Sequence, residues 1–257
     1  MHKDISVITI NYNNLQGLKN TFNSIVNQTD RHLVEWIVID GNSTDGSAEF
    51  LREHKNEIDI LEIASDKGIY DAMNKGLALA NDTAFVWFMN SGDTVYSNDV
   101  FHKLLYIVRN EFCDIVFSDT MFVTPQQEQI GLISKLKPQR LPKHLTPWGF
   151  RFGMNVCHQS FVVRKSLCEP FELKYKQAAD IDWIIKILKT DTMSIRCNFI
   201  ISNFEVGGSS YQHTQTAWKE RFDVLTKHYG LLPNLLAHVW IIIRWVLFNL
   251  KLKLQKN

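Results

Sequence analysis

Four short apolar runs punctuate the N-terminal part of the chain, at residues 5–10, 34–39, 58–63 and 84–89, each rich in β-branched or aromatic residues and each closed by polar or turn-forming ones. Runs of this length and make-up predict buried strands. Between them the hydrophobic positions change to helical spacing. Leu15, Leu18, Phe22, Ile25 and Val26 form one such pattern, a shorter and weaker one follows Asp45-Gly46-Ser47, and Ile69, Ala72, Met73, Gly76, Leu77 and Ala80 form another. Val100, Phe101, Leu104, Leu105 and Val108 predict a fourth helix, with a further strand at 114–119. Alternation of strand and helix predicts an α/β fold with a mostly parallel central sheet covered by helices on both faces.

Beyond residue 119 the alternation loosens. Residues 120–153 carry Pro125, Pro138, Pro142 and Pro147 among basic and polar residues, which suits strands joined by long connections over an active-site mouth. A strand is predicted at 156–163, an amphipathic helix at 180–189, and one or two strands over 193–206, ending at Gly207-Gly208-Ser209-Ser210. The most apolar stretch, residues 231–250, is interrupted by Pro233, Asn234, His238, Arg244 and Asn249 and followed by Lys251, Lys253 and Lys256. Arg244 and Lys251 share one helix side, and Trp240 and Trp245 suit a headgroup boundary. The pattern therefore favours a helix lying in or on a membrane face over one docked on the domain or one that spans.

Composition sets limits on these readings. With 257 residues, 45% of them hydrophobic, the chain can bury one large core or two smaller ones. The 28 basic and 27 acidic residues leave a net charge of +1, too little to neutralise many phosphates, so a nucleic-acid polymer is not an expected partner. Cys113, Cys157, Cys168 and Cys197 lack CxxC spacing and read as reduced thiols. No secretory signal is recognised in MHKDISVITI, which places the catalytic part on the cytoplasmic side.

Candidate chemistry gathers just beyond the predicted strands, where ligands of open α/β sheets bind. Asp40, in Asp40-Gly41-Asn42-Ser43, can accept a base N–H or a ribose hydroxyl; the alternative for it and for Asp45 is a turn or N-cap role. In the segment from Asp66 to Gly76, Asp66 is a candidate for the nucleoside, and Lys67 or the helix start for phosphate. Asp71 and Asn74, three apart, are candidates to look into the same site, while Gly76 reads as a packing glycine. Asn90-Ser91-Gly92-Asp93 is either an ordinary turn or a metal motif, with Asp93 as ligand to a cation on a diphosphate. Asp180 and Asp182 open a helix, and only one of two residues so spaced can face the cleft. His158 and His213 lie near polar loops, as structural or as site histidines.

Taken in order, ISVITINYNN, EWIVIDGNSTDGS, SDKGIYDAMNKG, FMNSGD, CHQSFVVRKSL and AADIDWIIKIL resemble the family 2 inverting glycosyltransferases of the GT-A fold, most of all bacterial exopolysaccharide and O-antigen enzymes of the colanic-acid type. The resemblance covers roughly residues 4–210. It implies a GT-A domain over 1–212, with a nucleotide-sugar half (1–119) and an acceptor half (120–212), followed by membrane-associating helices over 213–257. It also implies transfer from a nucleotide diphosphate sugar, usually a UDP-sugar, to a glycan or a polyprenyl-diphosphate-linked sugar. Asp180 matches the family's general base, Asp40 and Asp66 its nucleoside ligands, and Asp93 its ligand to Mg2+ or Mn2+; Asn90, His158 and Asp182 are added as substrate-binding positions. The family's metal motif usually carries more than one acid, and here Asn90 and Gly92 leave Asp93 alone. Two rivals remain: a sugar-phosphate nucleotidyltransferase, although Asn11-Tyr12-Asn13-Asn14-Leu15 is not a phosphate loop, and a non-catalytic scaffold of the same fold.

Overall fold

The computed structural model describes residues 3–208 and 213–254, with side chains up to residue 250. Ser209, Ser210 and Lys256 lie outside the described residues, as do the side chains of Lys251 and Lys253. The strands are β1 (Ile5–Asn11), β2 (Val34–Asp40), β3 (Ile60–Ile63), β4 (Phe85–Phe88), β5 (Thr94–Val95), β6 (Ile115–Phe117), β7 (Thr120–Val123), β8 (Gln129–Leu132), β9 (Phe161–Arg164), β10 (Ser194–Arg196) and β11 (Ser202–Glu205). The α-helices are α1 (Leu15–Val26), α2 (Ser47–Glu53), α3 (Ile69–Leu79), α4 (Val100–Asn110), α5 (Ile133–Leu136), α6 (Ala179–Leu188), α7 (Thr214–Tyr229) and α8 (Leu231–Leu254).

The central sheet runs β10-β6-β9-β4-β1-β2-β3. β1, β2, β3 and β4 are parallel, β10 is parallel to β6, and β9 is antiparallel to both its neighbours. Side chains alternate faces along a strand, and both faces here are apolar. Ile8, Ile10, Ile37, Ile39, Val86 and Phe88 join one core with α3 and α6, while Ile5, Val7, Trp36, Val38 and Trp87 join the other with α1, α2 and α4. Within that second layer of β1, Thr9 accepts the Trp36 indole N–H at 3.0 Å. Gly76 lets α3 lie against β1, since a Cβ there would come within 2.4 Å of Ile8 Cγ2.

A second, four-stranded sheet, β5-β11-β7-β8, lies beside the first. Buried hydroxyls stitch the two together: Thr120 donates to Ser160, and the Ser160 and Ser202 hydroxyls are hydrogen-bonded to each other, each at 2.6 Å. That network explains one departure from the strand predicted at 156–163. Residues 158–160 form a 3-10 turn that points His158, Gln159 and Ser160 inward, and the strand begins only at Phe161. Residues 193–206 likewise divide into β10 and β11, one in each sheet.

Gly230, at φ +84°, separates α7 from α8. Helix α7 packs on α6, and α8 packs on α7 and on the 3-10 turn Pro147–Phe152. The contact between α6 and α7 centres on Asp182, which is buried and accepts from His228 Nε2 at 2.8 Å and Lys227 Nζ at 2.9 Å, with Lys186 Nζ at 3.3 Å. Burial alone would raise this carboxyl; the bonds from His228 and Lys227 and the two lysine charges overcome it and hold the group well below the usual carboxylate range. Asp182 is therefore a fastener between helices, and its expected substrate-binding role is corrected.

Candidate active site

Parallel pairing sets Asn11 directly beside Asp40 at the carboxyl ends of β1 and β2. The Asp40 carboxylate is buried and accepts from Asn11 Nδ2 at 2.7 Å and from Ser43 N and Ser43 Oγ at 2.8 Å. It shapes the turn that carries Gly41. A Cβ on Gly41 would stand 2.6 Å from Asp66 Oδ2 and 2.9 Å from the Tyr12 ring, so the Asp66 carboxylate and an exposed aromatic face converge over a bare stretch of backbone. Asp66 Oδ1 is held by Gly68 N at 2.8 Å, which aims Oδ2 at that space. A flat, hydrogen-bonding ligand suits the combination.

The neighbouring candidates are occupied locally. Asp71 accepts from Lys67 N at 3.0 Å and closes the start of α3, while the Lys67 side chain is exposed. Asn74 clasps Phe171 through both backbone groups, at 3.0 and 2.6 Å, and so holds the loop before α6. Neither Asp71 nor Asn74 lines the main cavity, contrary to the expectation from their spacing.

Asp93 is buried, and its Oδ1 accepts from Glu205 N at 3.0 Å, pinning the turn after β4 to β11. Burial, with the nearby Glu205, pushes its carboxyl well above the ordinary value. Gly92, at φ +103°, leaves room for the Glu205 carboxylate, which lies 3.2–3.3 Å from where a Cβ would be. A cation needs several oxygens open to one point. Asp93 is enclosed and engaged, and the described residues hold no cluster of three acid, histidine or cysteine groups. The assignment of Asp93 as a ligand to Mg2+ or Mn2+ does not fit this geometry. From the same turn it is Asn90 that reaches the cavity, with a buried Oδ1 that has no hydrogen-bond partner.

That cavity, about 600 Å³, brings together Asn90, His158 and Asp180 from the sequence reading, and adds Tyr70, Asp119 and Arg221. Asp180 begins α6, where Oδ1 accepts from Ile181 N at 2.9 Å and from the Tyr70 hydroxyl at 3.2 Å. Withdrawal from water raises its carboxyl above the ordinary value, against the pull of those bonds and of Arg221. The result is a carboxylate more basic than a free aspartate, with its charge still supported. His158 is stacked on Phe88 and edge-on to Trp183, and burial lowers its pKa to about 3. It is thus a neutral imidazole, and its Nε2 has no hydrogen-bond partner. Asp119 accepts from Thr120 N at 2.9 Å and from the Ser134 hydroxyl, which ties the segment after β8 to the cavity wall.

The C-terminal helices complete the enclosure, with Trp218 and Arg221 from α7 and Ile241, Arg244 and Trp245 from α8. Arg244 was expected to face headgroups beside Lys251; it turns inward and donates to the Phe152 carbonyl at 3.1 Å. Arg221 was missed in the sequence, although a cation at helical spacing between Trp218 and the buried Leu225 is itself a signal. His213, also named as a candidate, is exposed and does not line the cavity.

The family profile described as glycosyl transferase family 2 matches residues 6–169. The chain belongs to this family. Among its family 2 relatives, the PGL/p-HBAD biosynthesis glycosyltransferase of Mycobacterium bovis (strain BCG / Pasteur 1173P2) is 27% identical over 202 residues, 75% of this chain and 74% of the relative. That name does not repeat the colanic-acid and O-antigen likeness of the motifs. Crystallised S. aureus TarS 1-349 in complex with UDP-GlcNAc superposes with a TM-score of 0.70 at 15% identity, over 95% of this chain and 72% of that one. The UDP complex of the same protein gives 0.65 at 17% identity, and there the chain spans 89% of its own length and 65% of TarS 1-349. Mannosyltransferase PcManGT from Pyrobaculum calidifontis, in complex with GDP-Man and Mn2+, gives 0.62 at 15% identity, over 96% and 74% of the two chains. The fold is the GT-A-like α/β arrangement, and this family 2 glycosyltransferase carries an apolar C-terminal helix with it.

Proposed function

We propose that the protein transfers a sugar, with inversion, from a UDP-sugar to a hydroxyl of a glycan or polyprenyl-diphosphate-linked acceptor in bacterial surface polysaccharide biosynthesis. The observation that carries this reading is the placing of Asp180: a half-buried carboxylate of raised basicity, steadied by Tyr70, on a cavity that Asn90 and His158 also line; Tyr12, Gly41 and Asp66 are not among the residues that line it. Asp180 takes the proton from the acceptor hydroxyl as that oxygen attacks the anomeric carbon, and the diphosphate leaves from the opposite side of the sugar. Asn90 Oδ1 and the neutral His158 Nε2 are free to hydrogen-bond the sugar or the acceptor, whose hydroxyls would satisfy these otherwise unpaired atoms. A divalent ion on the diphosphate would offset charge on the leaving group when bound.

Attachment to the cytoplasmic face of the membrane rests on α8. Its inward stripe is Asn234, Ala237, His238, Ile241, Arg244 and Phe248, whereas Leu232, Leu236, Val239, Ile242 and Leu247 are exposed. The inward stripe mixes polar and apolar residues while the outward face is apolar, unlike a helix that faces water. The deciding experiment is UDP release from a panel of UDP-sugars with an extracted lipid acceptor. Asp180→Asn is expected to lower turnover by about 10²-fold or more while UDP still binds. Normal turnover in that variant removes Asp180 as the base.

A further inference from the structure

Three cations from separate elements share the cavity beside Asp180: Lys137 just after α5, Arg221 in α7 and Arg244 in α8. Lys137 lies over the Phe122 ring at 5.0 Å and Arg221 over Trp218 at 5.7 Å, so flat hydrophobic supports hold both side chains. Arg244 spends one Nη2 bond on the Phe152 carbonyl. The Nε groups of both arginines are buried without a hydrogen-bond partner, and among the described residues none of the three cations has a carboxylate within ion-pair distance. Lys137 and Arg221 are near enough to repel, which pulls the lysine below its ordinary value together with the enclosure of the cavity. The two acids on the cavity, Asp180 and Asp119, offset only part of this charge, Asp180 through its attraction to Arg221, and leave the cations in excess. Unpaired like charges gathered in a partly desolvated space are costly unless a ligand supplies the opposite charge.

We infer that Lys137, Arg221 and Arg244 form a binding site for the phosphate or diphosphate group of a lipid-linked acceptor. The inference rests on the proposed glycosyl transfer at the same cavity and narrows the acceptor to an anionic one. A single carboxylate is too small to reach cations on three separate elements, whereas a diphosphate presents oxygens to both guanidinium forks and to Lys137. The side of the reaction follows from Asp180. The base meets the attacking hydroxyl, and the donor diphosphate leaves on the far face of the sugar, so the cation nearest Asp180 stands on the acceptor side. Arg244 points the same way, because it projects inward from the helix whose other face is the apolar one.

Farnesyl diphosphate, inorganic pyrophosphate, farnesol and UDP are the probes, each titrated calorimetrically into the full chain at low salt. Farnesyl diphosphate is expected to bind, to be displaced by pyrophosphate, and to bind about tenfold more weakly to each of Arg244→Gln and Lys137→Gln, with Arg244→Lys losing less. UDP affinity is expected to hold in all three variants, which also shows that they fold. Farnesol binding as tightly as farnesyl diphosphate overturns the site, as does equal farnesyl diphosphate affinity in the Gln variants. If UDP affinity falls in the variants and farnesyl diphosphate affinity does not, the cations serve the donor and the inference is wrong. Failure of the unaltered protein to bind UDP strikes the proposed transfer itself, a separate result from failure to bind farnesyl diphosphate alone.

Discussion

Two oxygen atoms 3.2 Å apart, the Tyr70 hydroxyl and Asp180 Oδ1, determine how the proposed base titrates. The bond from Tyr70 favours the charged carboxylate, so its removal moves the Asp180 pKa further up. Transfer requires the ionised form, and the rate therefore rises with pH through that pKa. Tyr70→Phe is expected to shift the acid limb of the kcat/KM profile to higher pH with little change on the plateau; an unmoved limb would separate the tyrosine from the base. His158, with a pKa lowered to about 3, is neutral throughout the working range. His158→Phe, which keeps the aromatic packing, is expected to lower kcat/KM by about 5–10-fold, as for one lost hydrogen bond, and to leave the shape of the pH profile unaltered. At this scale Asp180 was legible because its helix motif is specific and because Asp182, two residues on, has to face elsewhere. Asp93, Asp71 and Asn74 were not: spacing shows that a polar residue can reach a cleft, but not that a backbone group from β11, the Lys67 amide or the Phe171 loop has already claimed it.

Among the elements, α6 and α7 are joined by one charged fastener. Asp182 is buried with Lys186, Lys227 and the His228 ring about it, and removing the carboxylate leaves the His228 ring without this bond and the two lysines with only the more exposed glutamates. Asp182→Ala is expected to cost about 3–5 kcal/mol in urea denaturation at neutral pH. Because the folded carboxyl lies below its unfolded value, its contribution is fully present above pH ~4 and fades as the pH falls towards the folded value. The gap between the variant and the unaltered protein should therefore narrow in acid; a constant gap would mean that the loss is one of packing. Helix α8 offers the second test. Leu236→Glu and Ile243→Glu alter only its exposed side, so they are expected to abolish co-sedimentation with anionic phospholipid vesicles while the melting temperature holds. The strands of the parallel half were readable from their short runs rich in β-branched and aromatic residues. The turn at 158–160 was not, since its polar residues are buried by partners as distant in sequence as Thr120 and Ser202.

Across the whole molecule, the turn after β4 brings Asn90 to a cavity whose further wall α7 and α8 supply, while the proposed donor cluster stands at the ends of β1 and β2. The sequence suggested a boundary near residue 212, because the strand pattern stops there; that the later helices return Arg221 and Arg244 to the cavity depends on packing that no local pattern encodes. A chain ended after Gly230 is expected to keep UDP binding, since the Asp66–Gly41–Tyr12 cluster lies on other elements, but to lose use of the lipid acceptor together with vesicle binding. Retention of full transfer would show that α8 is dispensable to the wall. The apolar outward face of α8 has one more effect. On the proposed attachment, a helix that lines the cavity with one side and meets lipid with the other sets the two substrates on perpendicular routes. The acceptor arrives by lateral diffusion within a sheet of lipid and the donor from open solution, so turnover should follow the acceptor's density per unit of membrane area rather than its amount per unit of volume.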